Sequence, residues 1–199
     1  MVNTTRTGSR EQKQTETRSR IALEGIRLFE RHGYDATTLE AVAVASGISP
    51  RTLYHYFKTK YDILLFFHDE GFIPEISPTI QSLPRALGPL AVALRCLMTL
   101  VPKYETESMA ATYRIWSSTE KLKAEKLLAF KQIELAIYEA LREVWPKDEE
   151  QDKVKSAAMA AAGALRLAMD AGQAKDSKKS LQNRLEDSFQ ALTELLRQA

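Results

Sequence analysis

Several side chains suited to binding a nucleic acid recur on one side of a short predicted helix. Their positions on a helical wheel share one face: Arg51, Tyr54, His55 and Lys58. Leu53 and Phe57 lie on another face, which gives the helix an apolar side. Arginine can bond guanine in a bidentate manner, tyrosine and histidine can reach a phosphate or a thymine methyl, and lysine neutralises phosphate. A solvated helix face with half-packed aromatic rings would give the same pattern, so the spacing alone leaves two interpretations open.

The residues around this helix have helix-turn-helix spacing. Thr37-x-x-Glu40 predicts a capping box that opens one short helix, which stops at Gly47. Glycine there permits the positive backbone angle that a tight turn can require. Ser49 and Pro50 then suit the N-cap and the first position of the second helix. The spacing is typical of a DNA-binding helix-turn-helix.

Charge is distributed unevenly along the chain. Residues 1–60 carry ten basic and six acidic side chains, whereas residues 61–199 carry 18 and 20, although the net charge of the whole chain is only +2. A basic first part favours a polyanionic partner for that part. Further cations precede the helix-turn-helix, at Arg6, Arg10, Lys13, Arg18 and Arg20.

Other classes of protein are poorly supported. The single cysteine, Cys96, excludes an internal disulfide framework and a multi-thiolate metal site, and its apolar surroundings predict a buried thiol. The three histidines are scattered and no glycine-rich phosphate loop is present, so we expect neither an enzyme nor a cofactor. With no signal peptide and no apolar stretch near ~20 residues, we expect a cytoplasmic protein without a membrane partner. A helical scaffold or dimerisation module without specific DNA binding is the alternative class.

Helical periodicity dominates, which predicts an all-α fold of about nine helices. We expect a flexible basic tail over 1–14, a helix-turn-helix domain over 15–60, and a larger ligand-binding and dimerisation domain over 61–199. The first helix runs from Thr15 to His32, and an aromatic fourth helix spans 61–72. The prolines that follow, up to residue 89, predict a junction between domains. Further helices are predicted over 86–101, 104–117, 119–145, 149–171 and 177–198.

Residues 33–43 and 46–60 resemble the N-terminal signature of TetR-family transcriptional repressors. The most specific element is Thr-Leu-Tyr-x-Tyr-Phe-x-x-Lys, from Thr52 to Lys60, and the resemblance extends from about Thr15 to Leu65. It implies an all-α homodimer with a three-helix DNA-binding domain and a larger domain that binds an inducer. We therefore expect a repressor that a small molecule releases from a palindromic double-stranded operator. An activator of the same family is the alternative.

The same resemblance implies roles for single residues. Arg51 and Thr52 would approach base edges. Many family members have a small residue or glycine where Arg51 stands, so Arg51 either reads a base or pairs with phosphate. Contacts to the DNA backbone are implied for Thr38, Tyr54, His55, Tyr56 and Lys60, with Tyr54 also able to meet a thymine methyl, and Lys58 adds a cation on the same face.

The resemblance places a ligand cavity among the middle helices. Candidate lining residues are Phe66, Phe67, Phe72, Leu94, Met98, Met109, Tyr113, Trp116, Phe130 and Tyr138. Apolar walls with a few polar tips suit a hydrophobic small molecule, although the same residues could simply fill a core. Residues 114–130 are also similar to mycofactocin-type TetR regulators, which implies an acyl-CoA-like effector.

The last two predicted helices suit dimerisation. An apolar seam and a run of small residues predict a four-helix interface between two subunits. Candidate interface residues are Ala158, Ala161, Leu165, Leu185, Phe189, Leu192 and Leu196. The alternative is that the seam is buried within one subunit.

Overall fold

A computed structural model describes residues 4–172 and 179–198, with side chains from residue 12 onward except those of residues 196 and 198. These ranges contain ten α-helices and no strand. The helices are α1 (Thr4–His32), α2 (Leu39–Ala45), α3 (Pro50–Tyr56), α4 (Lys60–Phe67), α5 (Ile73–Ser82), α6 (Pro89–Tyr104), α7 (Glu107–Trp116), α8 (Glu120–Val144), α9 (Gln151–Ala171) and α10 (Leu181–Gln198). The predicted all-α fold class is confirmed. In the described residues, no helix combines the length and the apolarity needed to cross a membrane.

Helices α1 to α4 pack around a small apolar core. Phe29 of α1, Val42 of α2 and Leu53 of α3 are all fully buried or nearly so. A glycine is required at position 25 because a Cβ there would lie 2.8 Å from Cγ2 of Ile63 on α4. Helix α1 begins at Thr4, so helix extends through most of the segment for which the sequence predicts a flexible tail.

Two predicted helix caps are shifted along the chain. The N-cap of α2 is Thr38, not Thr37, and the buried Thr37 hydroxyl donates instead to the carbonyl of Gly33. Ser117-x-x-Glu120 also has the spacing of a capping box. The N-cap of α8 is nevertheless Thr119, and Ser117 lies at the C-terminal end of α7. Both Ser and Thr can cap a helix, so the direction in which the chain enters the helix decides between neighbouring candidates.

Helix α5 occupies the region that the sequence predicts as a proline-rich junction. Pro74 lies in its first turn, and Pro78 lies inside the helix, where it removes a backbone donor. The helix persists because Ile76 and Ile80 are fully buried where α5 packs against α6 and α8. Pro102 is likewise inside α6 rather than at its end. Burial therefore outweighs the proline penalty in α5.

A π-helical turn, His68–Phe72, joins α4 directly to α5. The predicted single helix over 61–72 is thus divided, and its second half buries His68 and Phe72 while Glu70 faces outward. Such turns are rare and often occur at functional sites. The result is a nearly continuous helical path from the N-terminal helices into the larger body.

The larger body is built around α9, which packs against α6, α8 and α10. Small buried side chains on α9, among them Ala157, Ala161, Ala164 and Ala168, allow its neighbours to approach closely. Helices α6 to α10 begin and end within four residues of their predicted positions. The predicted buried thiol is confirmed, since Cys96 has no exposed surface and burial raises its pKa to about 12.

Candidate nucleic-acid interface and adjoining cavity

The turn between α2 and α3 is fixed by backbone and side-chain contacts. Gly47 has a φ of 65°, the left-handed conformation expected for this position. Next to it, the Ile48 N–H donates to the Ala43 carbonyl at 3.0 Å. The Arg20 guanidinium of α1 donates to the carbonyl of Ser46, the residue that ends α2. The angle between α2 and α3 is therefore fixed by the turn itself and by the contact from α1.

Helix α3 is anchored at its start and along its inner side. The Ser49 hydroxyl accepts from the backbone N–H of Thr52 at 3.1 Å, and Pro50 occupies the first helical position, as predicted. Leu53 and Phe57 have no exposed surface. The outer side of α3 is consequently held at a fixed orientation.

Most of the predicted nucleic-acid-binding residues share one surface. A shallow depression over α3 is lined by Arg51, Thr52, Tyr54, His55, Tyr56 and Lys58. Tyr56 is half-buried and the other five side chains are exposed. This surface combines guanidinium, hydroxyl, phenol, imidazole and ammonium groups, which suit base edges and phosphates. Thr38 lies exposed at the N-terminus of α2, where its hydroxyl accepts from the Ala41 N–H.

The Tyr54 phenol is held by a carboxylate on the other helix of the motif. Its hydroxyl donates to Oε1 of Glu40 at 2.8 Å. The bond stabilises the carboxylate, which lowers the pKa of Glu40, and it disfavours loss of the phenol proton, which raises the pKa of Tyr54. Glu40 is absent from the predicted site residues because the two residues are 14 apart and only the packing of α2 on α3 joins them.

The two lysines after α3 are engaged with backbone carbonyls. The Lys58 ammonium donates to the carbonyl of Tyr54 at 2.6 Å. The Lys60 ammonium donates to the carbonyls of Tyr34 and Asp35 at 2.6 and 3.2 Å and lies 4.6 Å from the Tyr34 ring centre. Two of the three N–H donors of Lys60 thus hold the loop between α1 and α2, which leaves one for the predicted phosphate contact.

Arg18 is half-buried and contacts other parts of the protein, rather than extending freely as part of a basic tail. Its guanidinium lies 5.2 Å from the ring centre of Phe57 and 5.6 Å from that of Phe66. It also forms an ion pair with Glu70 of the π-helical turn. Arg18 therefore connects the end of α3 to the start of the larger body. Of the other predicted tail cations, the Lys13 side chain is exposed, and those of Arg6 and Arg10 lie outside the described residues.

An apolar cavity of about 50 Å³, the inner cavity, lies in the larger body. Its lining residues are His68, Phe72, Val101, Tyr104, Met109, Trp116, Phe130, Ile133, Leu165, Met169 and Leu181. Four of the predicted lining residues are among them: Phe72, Met109, Trp116 and Phe130. Phe66 and Phe67 pack against each other instead, Leu94 lines a groove near α10, and Met98 and Tyr138 pack at the edge of the core.

A second cavity of about 200 Å³, the outer cavity, adjoins the first and shares Met109, Met169 and Leu181 with it. Tyr113, another predicted lining residue, lies here. Its wall also includes Arg114, whose Nε donates to Oε1 of Glu30 on α1 at 2.9 Å. This bond links the outer cavity to the longest helix of the N-terminal unit.

A charge cluster formed by the buried Lys126 and the exposed Asp170 lies beside the outer cavity. Lys126 is only 8% exposed, and its Nζ lies 3.0 Å from Oδ1 of Asp170 and 4.6 Å from the ring centre of Tyr113. The Tyr113 hydroxyl donates to the same carboxylate. Burial, followed by this hydrogen bond, raises the pKa of the Tyr113 phenol. The cluster joins α7, α8 and α9, and the sequence pattern gives no signal for it because its members are 13 to 57 residues apart.

The predicted dimer residues lie mostly inside the subunit, which corrects their assignment. Five are buried within the chain itself: Ala158, Ala161, Leu165, Leu185 and Phe189. Leu192 is half-buried, and the side chain of Leu196 lies outside the described residues. The strongest apolar stripe of a helix faces its own core, so the seam packs α9 against α10 in one subunit.

Other apolar residues of the same two helices face outward. Met159 and Leu167 of α9 are 53% and 55% exposed, and Leu195 of α10 is 64% exposed. Gly163 of α9 has open space beyond its Cα. These apolar side chains stand on the side of each helix where polar residues are expected. That pattern is the sequence signal for an outward apolar face.

Comparison with known protein families gives a match over the helix-turn-helix region. The family model of bacterial regulatory proteins of the tetR family matches residues 23–65. Among characterised proteins, the HTH-type transcriptional regulator TcmR of Streptomyces glaucescens is 30% identical over 137 residues, which cover 64% of this chain. The matched region spans 59% of the length of TcmR.

Solved structures share the fold over nearly the whole chain. The complex of SmeT with triclosan has a TM-score of 0.59 at 19% identity and covers 88% of this chain and 91% of its own. SmeT is the repressor of a Stenotrophomonas maltophilia multidrug efflux pump. The FadR repressor of Thermus thermophilus with lauroyl-CoA has a TM-score of 0.55 at 19% identity and covers 89% of this chain and 93% of its own. At these identities the similarity concerns the fold.

Proposed function

Since the chain belongs to the TetR family of bacterial regulatory proteins, we propose that it is a ligand-responsive transcriptional repressor. In this proposal a homodimer binds a palindromic operator and a hydrophobic small molecule releases it. The observation that carries the proposal is the construction of α3. Leu53 and Phe57 are buried behind the helix while Arg51, Tyr54 and His55 are exposed in front of it.

The dimensions of α3 suit a major groove. The groove of B-DNA is about 12 Å wide and admits an α-helix, and recognition helices present their N-terminal residues to base edges. Arg51 and Thr52 lie in the first turn of α3 and would read bases. Tyr54, His55 and Lys58 follow along the exposed side and would bind phosphates, with Thr38 contacting the backbone from α2.

Sequence selection from random duplexes, followed by footprinting of the selected site, tests DNA binding. We expect a palindromic site whose half-site centres are about one helical turn, ~34 Å, apart. Affinity should fall steeply as salt rises, because bound lysines and arginines displace counterions from phosphates. A chain that selects no sequence and shows no salt-dependent affinity would instead be a helical scaffold.

We place the dimer contact on the outward apolar face of α9 and α10, defined by Met159, Gly163, Leu167 and Leu195. Gly163 lets two copies of α9 approach closely, and the larger apolar side chains flank it. An apolar groove of about 150 Å³, which includes Leu94, Leu192 and Leu195, adjoins this face. Two helices from each subunit would then form a four-helix interface with two-fold symmetry.

Sedimentation at micromolar concentration tests this placement. The wild-type chain should be a dimer and the Leu167→Glu variant a monomer, because the substitution introduces a charge into the apolar contact. Leu128→Glu is the matched control, since Leu128 is 61% exposed on α8, which is not one of the two helices of the proposed contact. A monomeric wild type, or equal effects of the two variants, would contradict the placement.

Two side-chain links could carry ligand binding to the DNA-binding unit. His68 and Phe72 line the inner cavity from the π-helical turn, and Glu70 of that turn pairs with Arg18 of α1. Arg114 at the outer cavity bonds Glu30 of α1. A ligand that prefers a different position of these elements must weaken operator binding by its differential affinity for the two states.

The cavities favour a compact effector. The inner volume of about 50 Å³ is small for the long acyl chain that the mycofactocin-type resemblance implies. Triclosan is a compact ligand of SmeT, and lauroyl-CoA is a long one of FadR. Thermal-shift measurements with both compounds separate these classes, and we expect stabilisation by triclosan and little change with lauroyl-CoA. A reporter assay comparing gene deletion with wild type gives the sign of regulation.

A further inference from the structure

Trp116 lines the inner cavity and carries a buried hydrogen-bond donor. The side chain lines the cavity and is only 3% exposed. Its Nε1–H is buried and has no acceptor in the part of the chain that the structure describes. Buried polar groups are nearly always hydrogen-bonded, because an unpaired one loses its bonds to water without replacement. An acceptor atom of a bound molecule that reaches this donor when the wall shifts would supply the missing hydrogen bond.

The other polar side chains of the same wall are already engaged. Nδ1 of His68 lies 2.6 Å from Oδ1 of Asp69, and its Nε2 lies 3.0 Å from the Ala129 carbonyl. The Tyr104 hydroxyl donates to the carbonyl of Gly71 at 3.0 Å. Within the described ranges, no Lys, Arg, Asp or Glu lines the inner cavity. The wall thus offers an apolar surface with several aromatic rings, and the unpaired N–H of Trp116 is buried behind that surface.

The two cavities can be joined by movement of flexible side chains. Met109, Met169 and Leu181 line both, so they form the partition between about 50 Å³ inside and about 200 Å³ outside. Methionine has three rotatable bonds and adapts readily to a changed neighbour. An apolar cavity of about 150 Å³ is enough to bind benzene, so rotation of this partition would admit a molecule of one or two rings.

We propose that the effector is a compact, uncharged, largely aromatic molecule with an acceptor oxygen that Trp116 Nε1–H binds. This inference rests on the proposed function and specifies the chemical class of its effector. The ring system would lie among Phe72, Phe130 and Met109, where burial of apolar surface supplies affinity. The hydrogen bond would select a carbonyl, ether or phenol oxygen over an isosteric hydrocarbon.

Acetophenone and isopropylbenzene are a matched probe pair, because they are close in size and isopropylbenzene has a methyl group where acetophenone has its carbonyl oxygen. Calorimetry gives the affinity of each for wild type, Trp116→Phe and Trp145→Phe. The loss of ring volume affects both probes, so the ratio of their affinities isolates the hydrogen bond. We expect Trp116→Phe to reduce the acetophenone to isopropylbenzene ratio about threefold to tenfold. Trp145→Phe, which changes a buried tryptophan outside the cavity wall, should leave the ratio unchanged.

An NMR spectrum of the wild-type protein tests the same hydrogen bond if the Trp116→Phe variant fails to fold. The chain has two tryptophans, so ¹⁵N-labelled protein gives two indole N–H resonances. Acetophenone, but not isopropylbenzene, should shift the Trp116 resonance, which the Trp145→Phe spectrum identifies. An unchanged affinity ratio, an unmoved Trp116 resonance, or no binding of either probe would overturn the inference. DNA binding by the ligand-free protein is measured separately, so a failure here is distinct from a failure of the proposed function.

Discussion

The outer face of α3 and the inner cavity are built in opposite ways. On α3 the polar groups are displayed on the surface, and buried Leu53 and Phe57 hold them there. The cavity is lined by apolar side chains, and the polar N–H of the Trp116 indole is buried among them. A binding surface for a large polyanion needs exposure and charge, whereas a site for a small apolar molecule needs enclosure.

The difference shows what helical periodicity can and cannot identify. Periodicity separates the two sides of α3, so its exposed polar side chains follow directly from the sequence. In α9 the same reasoning finds the apolar side, but that side packs within the subunit, and Met159 and Leu167 mark the outward face. A periodic pattern identifies a buried side without identifying what buries it. The following predictions test this contrast, from the largest effect to the smallest.

Removal of the ring that supports α3 should have the largest effect. Phe57 is fully buried beneath the Arg18 guanidinium, so Phe57→Ala should lower the free energy of unfolding by about 3–5 kcal/mol. Urea unfolding measures the change. The control is Val44→Ala, which removes a 76% exposed side chain and should change stability by no more than about 0.5 kcal/mol. Equal costs for the two variants would mean that the buried side does not hold the helix.

Removal of an exposed group of α3 should affect DNA affinity without affecting stability. We expect Arg51→Ala to weaken specific binding by about 1–3 kcal/mol and to leave the unfolding free energy unchanged. Titration of operator and random duplexes measures the specificity ratio. Arg95→Ala makes the same charge change at an exposed position on α6 and should preserve that ratio. An unchanged ratio for Arg51→Ala would assign this side chain to phosphate rather than to a base.

Removing the ion pair between Arg18 and Glu70, which connects the two regions, should have a smaller effect than either of the substitutions above. Arg18 and Glu70 are each more than a third exposed, so their ion pair contributes no more than about 1 kcal/mol. Bound acetophenone is expected to weaken duplex binding by a certain free energy. Glu70→Gln should therefore make that free energy smaller, by about 1 kcal/mol at most. Duplex titration with and without the probe measures it. Glu75→Gln, which affects an ion pair with Lys103 inside the larger body, should leave the coupling intact.

The smallest expected effect is on the stability of the fold at acidic pH. The Tyr54 hydroxyl keeps the pKa of Glu40 below its unfolded value of about 4.5, so this bond stabilises the fold above that pH. The contribution is lost as the pH falls through the lowered pKa. Tyr54→Phe should return the Glu40 pKa toward its usual range, as measured by NMR titration of the carboxyl carbon, whereas Tyr56→Phe should not. A Glu40 pKa that Tyr54→Phe leaves in place would exclude this hydrogen bond in solution.

Local chemistry explains which features could be predicted. The positive φ of Gly47 and the cap formed by Ser49 before Pro50 depend on neighbours in sequence. Helix α5 was hidden because Pro74 and Pro78 disfavour a helix locally, and only burial against α6 and α8 restores it. The capping box of Thr59 and Asp62 at the start of α4 was also missed, within a segment that reads as a polar break.

The sequence by itself determined the all-α class, the helix-turn-helix and the identity of the exposed side of α3. Each depends on interactions within one helix or one turn, whose energies are set by residues a few positions apart. Tertiary structure alone decided the cavity wall around Trp116, the pairing of Arg18 with Glu70, and the outward face of α9. These depend on which helices meet, and that is determined by the joint packing of apolar stripes from the whole chain rather than by the pattern of any one of them.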